Sequence, residues 1–566
     1  MRVLVAILLL FCLPGCDRPA PVDPVGEIAK PGPLPVKLWI NGLIYTSDEH
    51  NPQVDALVFD EQGVILAVGT SAALQEAWPG ARMRDLESAV VIPGLIDSHG
   101  HLHNLALSKT RAQLRGTRDI DDIVRILKEH EKNLSDGDWL LGRGWDQNDW
   151  PHKEFPDKTD LDRHFPDRPV LLDRVDGHAI WVNSAALSLV DRDLSGSWQP
   201  QGGFIHRDAS GQASGILLNQ AEQIVEDLVP PETEALMSRA LDLALQQMVS
   251  LGLTGTHEPG VPRKVIERYL KKINENRFPS RVYVMVGGVG PTFEWLCAQG
   301  GIAHSDRLWA RSVKLYADGA LGSRGAALLN EYSDEPGNRG LLFHEDGALR
   351  AQVAAVMACG FQVAIHAIGD AANRQALDAI IAVSGQYPDN PGRHRIEHAQ
   401  VLTDGNLEKF APLGIIAAVQ PTHATSDMYW AEQRLGPDRV QFAYAWRKLV
   451  EHGARLALGS DFVVEEVNPM LGFYAAVARS DPEGWPEGGW HPGQRLSRAE
   501  ALRGFTLDAA YAGFMEDRVG SLAPGKLADM VILDRDIMQV DEDQLPSTLV
   551  LETWLGGRRV YHRGAR

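Results

Sequence analysis

Residues 90–103, VVIPGLIDSHGHLH, form an apolar run that stops in three histidines spaced two apart. Alternate side chains of an extended chain share a face, so His99, His101 and His103 are expected to point one way and Gly100 and Leu102 the other. Two imidazoles at i and i+2 can reach one cation, and Gly100 lets the backbone approach it; imidazole is a frequent ligand of Zn²⁺. Taken alone, such a pair reads as readily as exposed loop histidines. Recurrence gives it meaning: apolar runs ending in polar residues also occupy 252–257, 281–286, 312–318, 361–366, 394–398, 415–420 and 455–461. With 90–98 these make eight, the number that closes a (β/α)₈ barrel. Helical patterns fit between them, for example over 347–359 and 371–383, so the fold class is α/β, a TIM-like barrel.

Four of these runs carry a chemically useful residue: Lys314 in SVKLYADG, His366 in VAIHAIGD, His398 in RIEHAQ and Asp461 in LALGSDF. Each has an ordinary explanation: a surface lysine, core histidines with satisfied hydrogen bonds, a helix N-cap aspartate. In a closed barrel, however, the ends of strands one, four, five, six and eight converge on one mouth. The separate explanations then give way to one cluster, with His99, His101, Lys314, His366, His398 and Asp461 as candidate metal ligands.

The 566 residues hold 55 Lys and Arg against 75 Asp and Glu, a net charge of −20, with no basic cluster of the kind that nucleic-acid phosphates require. Four cysteines in so long a chain are no disulfide framework. Residues 1–15 read as a lipoprotein-type signal peptide: Arg2 precedes an apolar run too short to span a bilayer, ending in Leu13-Pro14-Gly15-Cys16, which resembles a bacterial lipobox with Cys16 as the acylated residue. The Pro-rich segment 16–35 reads as a tether. The expected location is therefore outside the cytoplasm, lipid-anchored to a bacterial membrane and periplasm-facing in a Gram-negative cell. A plain secretory signal is the alternative. Cys297 and Cys359 remain inside the fold, their pairing open.

Strand and hairpin patterns at 36–92 and 518–566 each lack the apolar surface to close a core, so they are expected to form one small β-sandwich around a barrel over 93–517. The long gap between the first two barrel runs places an insertion at about 109–250, a lid on the barrel rim.

The first-strand HxH, the later Lys, His, His and Asp, and the phrases VIPGLIDSHGHLH and VGSLAPGKLADMVILD together resemble the amidohydrolase superfamily of metal-dependent hydrolases. GRGWDQ (142–147), DGHAIWVNSAAL (176–187), ASGILLNQA (213–221) and KLYADGALGSRGAAL (314–328) are similar to its amidohydrolase-3 branch, which includes N-substituted formamide deformylase. Asn219-Gln220 departs from the branch, where Asp-Asn is expected, and removes a carboxylate from the inserted region. The resemblance implies a divalent metal, Zn²⁺ for a set of four imidazoles, with two ions per chain and one as the alternative. It implies N6-carboxylation of Lys314 and Asp461 as the catalytic general base. The implied reaction is hydrolysis of a non-peptide C–N bond in a small amide. A cyclic imide or ureide hydrolase and an aminohydrolase are the alternatives on the same fold, and a non-catalytic metal-binding surface lipoprotein is the alternative of another class. Substrate-side candidates are Trp145, Asp146, His178, His257, Arg324 and His423, with lid-core packing an equal reading for the tryptophans. No nucleic-acid partner is expected, membrane contact only through the anchor, and self-association is open.

Overall fold

The computed structural model describes residues 36–132, 134–135 and 137–564. Eight parallel strands build its central sheet: β1 (Leu95–Asp97), β2 (Leu253–Val261), β3 (Arg281–Gly287), β4 (Leu308–Tyr316), β5 (Gln362–Ala367), β6 (Arg395–His398), β7 (Ile416–Val419) and β8 (Arg455–Leu458). They are hydrogen-bonded in chain order from β1 to β8, a nearly closed TIM barrel. Helices Asp346–Ala358 and Asp370–Ser384 flank β5. Between β8 and β1 the seam is made by residues just past the strands. Ser98 N–H donates to Leu458 O (3.0 Å) and Asp461 N–H to His99 O (2.7 Å). The buried Asp97 carboxylate accepts from Ser460 N (3.1 Å) and Ser460 Oγ (2.6 Å). Only glycine fits at 459, because a Cβ there would stand 2.6 Å from both Asp97 Oδ1 and His99 N.

The apolar run 90–98 is two strands, not one. Val90–Pro93 pairs with Met530–Leu533, while β1 pairs with β2. Gly94 makes the switch, pressed so close to Thr254 that a Cβ would meet its Oγ1 at 2.3 Å.

Both ends of the described chain share a six-stranded sheet, ordered Arg558–His562, Val550–Leu555, Met530–Leu533, Val90–Pro93, Leu43–Tyr45 and Gln53–Val54. A four-stranded sheet of Ile65–Gly69, Ala56–Phe59, Lys37–Ile40 and Arg82–Asp85 shares an apolar cluster with it, with Trp39, Phe59, Met530 and Ile532 at its centre. The hairpin turn at Gly63 (φ +82°) touches the turn at Gly556-Gly557, and a Cβ on Gly63 would fall 2.1 Å from Gly556 O.

The inserted region has its own six-stranded mixed sheet, ordered Gly203–Arg207, Ala213–Asn219, Ala179–Val182, Val170–Arg174, Leu140–Trp145 and Ala112–Gln113, with an apolar cluster on each face. It stops short of residue 250. Helix Glu234–Ser250 buries Met237, Leu241 and Leu245 in the barrel core beside Leu102 and Leu105, as a barrel helix does. Cys297 and Cys359 form a disulfide, with Cα atoms 5.7 Å apart. Among the described residues no helix is long and apolar enough to cross a membrane. The segments read from the sequence as a leader and a tether, with Cys16 between them, lie outside the described residues.

Candidate active site

The ends of β1, β4, β5, β6 and β8 bring six side chains to one cavity. His99 is fully buried; its Nε2 lies 3.4 Å from Lys314 Nζ and 3.7 Å from Asp461 Oδ1. His101 Nε2 is 3.0 Å from the same oxygen. The His398 ring stands 4.9 Å from that of His99 and 4.6 Å from that of His366. One ligand atom each from His99, His398 and Asp461 lie within 4.8 Å of one another. His103 does not join them, because the strand ends at Asp97 and helix Leu102–Ser108 begins before it. The backbone is bent to fit: His398 and Asp461 have φ of +74° and +61°, a left-handed conformation that costs a non-glycine residue about 1–3 kcal/mol and gathers at functional sites.

Buried partners orient the rings. His99 Nδ1 pairs with Glu397 Oε2, leaving Nε2 for the cavity. Glu397 is held in turn by Arg395 through Nε (2.7 Å) and Nη2 (2.9 Å). His398 Nδ1 pairs with Gln420 Oε1 at 2.8 Å. His366 Nε2 lies 3.3 Å from Gly319 O. Such partners set tautomer and direction in metal-binding histidines. Sequence reasoning missed Glu397 and Arg395, although two charged residues at i and i+2 in a four-residue strand are a signal for a buried pair.

The cavity, about 470 Å³, has the metal-ligand candidates on its floor and the inserted sheet as one wall. Of the softer candidates, Asp146, His178 and His423 line it. His178 Nδ1 donates to Asn219 Oδ1 (2.9 Å), and its ring stands 5.4 Å from that of His366. His423 Nε2 is 3.8 Å from Asp461 Oδ2. Asp146 is tied to Arg174.

Three other candidates do not reach the cavity wall. Trp145 is fully buried in the lid core and donates its Nε1–H to Leu172 O. A register shift at Gly144 (φ +101°) separates it from Arg143, which lines the cavity. His257 is enclosed because β2 runs on to Val261; its Nδ1 accepts from Arg395 Nη1 (2.8 Å), and it packs on Tyr283. Arg324 turns away to Asp334 (3.0 Å) and Glu335 (3.2 Å). Tyr316, Arg143, Asn219, Glu222 and Asp427 line the cavity without having been singled out as site residues.

The donor set fits a divalent cation. Burial, reinforced by nearby positive charge, holds His99, His366 and His398 well below the usual imidazole range, so their lone pairs stay free. Burial alone would raise the Asp461 carboxyl, yet His99 and His101 hold it well below the carboxylate range. Its buried Oδ1 is approached by His101 Nε2 at 3.0 Å but not along a well-aligned N–H, an arrangement that a shared metal would satisfy. Burial pushes the Lys314 amine down to about 8, with Glu397 and Asp461 opposing.

Comparison with known proteins places the fold in a family. The model of the Amidohydrolase family matches residues 82–561. Protein LONG AFTER FAR-RED 3 of Arabidopsis thaliana is 35% identical over 541 residues, covering 93% of this chain and 91% of that one. N-substituted formamide deformylase of Arthrobacter pascens is 27% identical over 546 residues, covering 93% and 98%. The crystal structure of an uncharacterized metal-dependent hydrolase from Pyrococcus horikoshii OT3 superposes with a TM-score of 0.73 at 28% identity, covering 90% of this chain and 99% of that one. A barrel whose strand ends gather imidazoles, a lysine and an aspartate is thus matched over nearly all of its length, and the chain belongs to the amidohydrolase family, as a metal-dependent hydrolase acting on carbon–nitrogen bonds.

Proposed function

We propose that this protein hydrolyses the exocyclic amide bond of a small N-acyl amine, formamides included, using two zinc ions. The observation that carries the reading is the placement of Asp461: its Oδ1 lies 3.0 Å from His101 Nε2 and its Oδ2 3.8 Å from His423 Nε2, in a cavity large enough for a small molecule. A metal store needs the ligands but not that cavity. The likeness to an N-substituted formamide deformylase favours formamides among the amides.

His99, His101 and Asp461 would hold one ion and His366 and His398 the other. Lys314, whose Nζ lies buried beside His99, would be a further ligand once carboxylated there. Zinc bound there supplies Lewis acidity, which polarises the scissile carbonyl and makes water a better nucleophile at neutral pH. The chain's own part is proton handling and orientation. Asp461, held ionised, takes the proton of the attacking water and returns it to the leaving nitrogen. His178, its Nδ1–H committed to Asn219, keeps an Nε2 lone pair to accept the substrate N–H. Location belongs to the same proposal: acylation of Cys16 would tether the enzyme to the outside of a bacterial membrane.

Metal analysis of the purified protein, followed by a screen of N-formyl and N-acyl amines with the reloaded enzyme, tests the reading. About two zinc ions per chain and formamide or amide hydrolysis are expected, with kcat reduced ~10³-fold in Asp461→Asn, within the range for a lost general base. Ring opening of cyclic imides or ureides, or ammonia release from amino-substituted rings, without formamide cleavage would replace it with the alternative reactions.

A further inference from the structure

The turn that follows lid strand Ala213–Asn219 places a carboxyl group with one unpartnered oxygen and no salt bridge in the cavity wall. Glu222 lines the cavity, is only 8% exposed, and its Oε1 has no hydrogen-bond partner. It precedes the short helix Gln223–Glu226 without capping it. Burial first, then the neighbouring carboxyls Glu226, Asp176 and Asp173, push it well above the carboxylate range, with the Asn219 backbone opposing. Of the arginines on this side, Arg174 is matched with Asp146 and Asp176 and Arg111 with Asp173, while Arg143 donates to the backbone oxygens of Val463 and Val175. Glu226 stands exposed at the cavity rim. Ionising a buried carboxyl without a counter-charge is costly, and the open side from which a counter-charge could come is the cavity.

We propose that Glu222, with Glu226 at the rim, binds a positively charged nitrogen of the substrate, a protonated amine, amidine or guanidine remote from the scissile bond. This rests on the reading of the cavity as an amide-hydrolysing site and names the class of amine that the substrate carries. The subsite is close enough to serve one small molecule. Glu222 N–H donates to Asn219 O (2.9 Å), and the Asn219 side chain holds His178 beside His366. A substrate spanning a few methylene groups would place its amide over the metal-ligand candidates and its cation at the turn.

The test pairs N-formyl-1,5-diaminopentane with its uncharged near-isostere N-formylhexylamine, using the metal-loaded full-length protein. The wild type is expected to prefer the cationic substrate at least ~10-fold in kcat/KM. Glu222→Gln should bring that ratio close to one, and Glu226→Gln should lower it partway; the rim variant keeps the test meaningful if the buried one fails to fold. No preference in the wild type, or an unchanged ratio in both variants, overturns the subsite. If neither compound is cleaved, the formamide reading fails by itself, and calorimetric binding of the same two compounds decides the subsite. At least ~10-fold tighter binding of the cationic one, lost in the variants, sustains it, and equal binding overturns it.

Discussion

At His99 the Nδ1 position is committed to Glu397, and Glu397 is committed to Arg395, so a three-member chain of buried charge aims one imidazole lone pair at the cavity. Glu397→Gln would break it in two places, removing the carboxylate behind the ring and leaving the Arg395 guanidinium buried without its counter-ion. Breaking a buried pair costs about 3–5 kcal/mol, and losing an oriented partner of a ligand histidine lowers metal affinity ~10–100-fold. Zinc titration with a competing chelator should show the weaker binding, and denaturant unfolding the lower stability. Legibility at this scale followed the strand ends. His366, His398 and Asp461 stand out because apolar text stops at them, whereas Glu397 hides one position before a more conspicuous histidine. His257 misleads because β2 continues past it, and Trp145 because the bulge at Gly144 reverses the expected face. Neither the extra strand length nor the bulge leaves a periodicity in the residue types.

The barrel strands were readable because buried parallel strands are continuous apolar runs bounded by polar residues. The lid sheet was not, because its strands are short, mix parallel and antiparallel pairing, and carry irregular registers, so they look like loop. The seam between β8 and β1 was equally hidden, since it depends on side-chain and loop hydrogen bonds rather than a ladder. Gly459 is its tightest point. In Gly459→Ala the new methyl would collide with Asp97 Oδ1 and His99 N, forcing the β8 end, and Asp461 with it, away from β1. Overpacking of this kind costs about 1–3 kcal/mol. A lower denaturant midpoint is therefore expected, and zinc content per chain should fall with it, because the displaced loop carries Asp461.

For the whole molecule, the chain ends that meet in one sheet could be inferred from two strand-rich segments, neither able to close a core. The Cys297–Cys359 crosslink could not, since two cysteines 62 positions apart give no hint of proximity until the helices before and after β4 are packed. That disulfide joins helix Pro291–Ala298 to the end of helix Asp346–Ala358. Structural disulfides are commonest outside the reducing cytoplasm, so the crosslink is compatible with the location that the proposed acylation of Cys16 would give. If the proposed leader and acylation hold, the protein made from its full sequence is expected in the cell envelope, released to the soluble fraction by Cys16→Ser, with Cys297 and Cys359 blocked to alkylation until a reductant is added. Loop-closure entropy for that separation puts the stability lost on reduction at about 4 kcal/mol, which unfolding with and without reductant would measure. Free thiols at both positions in envelope-derived protein would break the link between crosslink and location, and cytosolic recovery of the intact chain would remove the anchor from the proposal while leaving the metal site untouched.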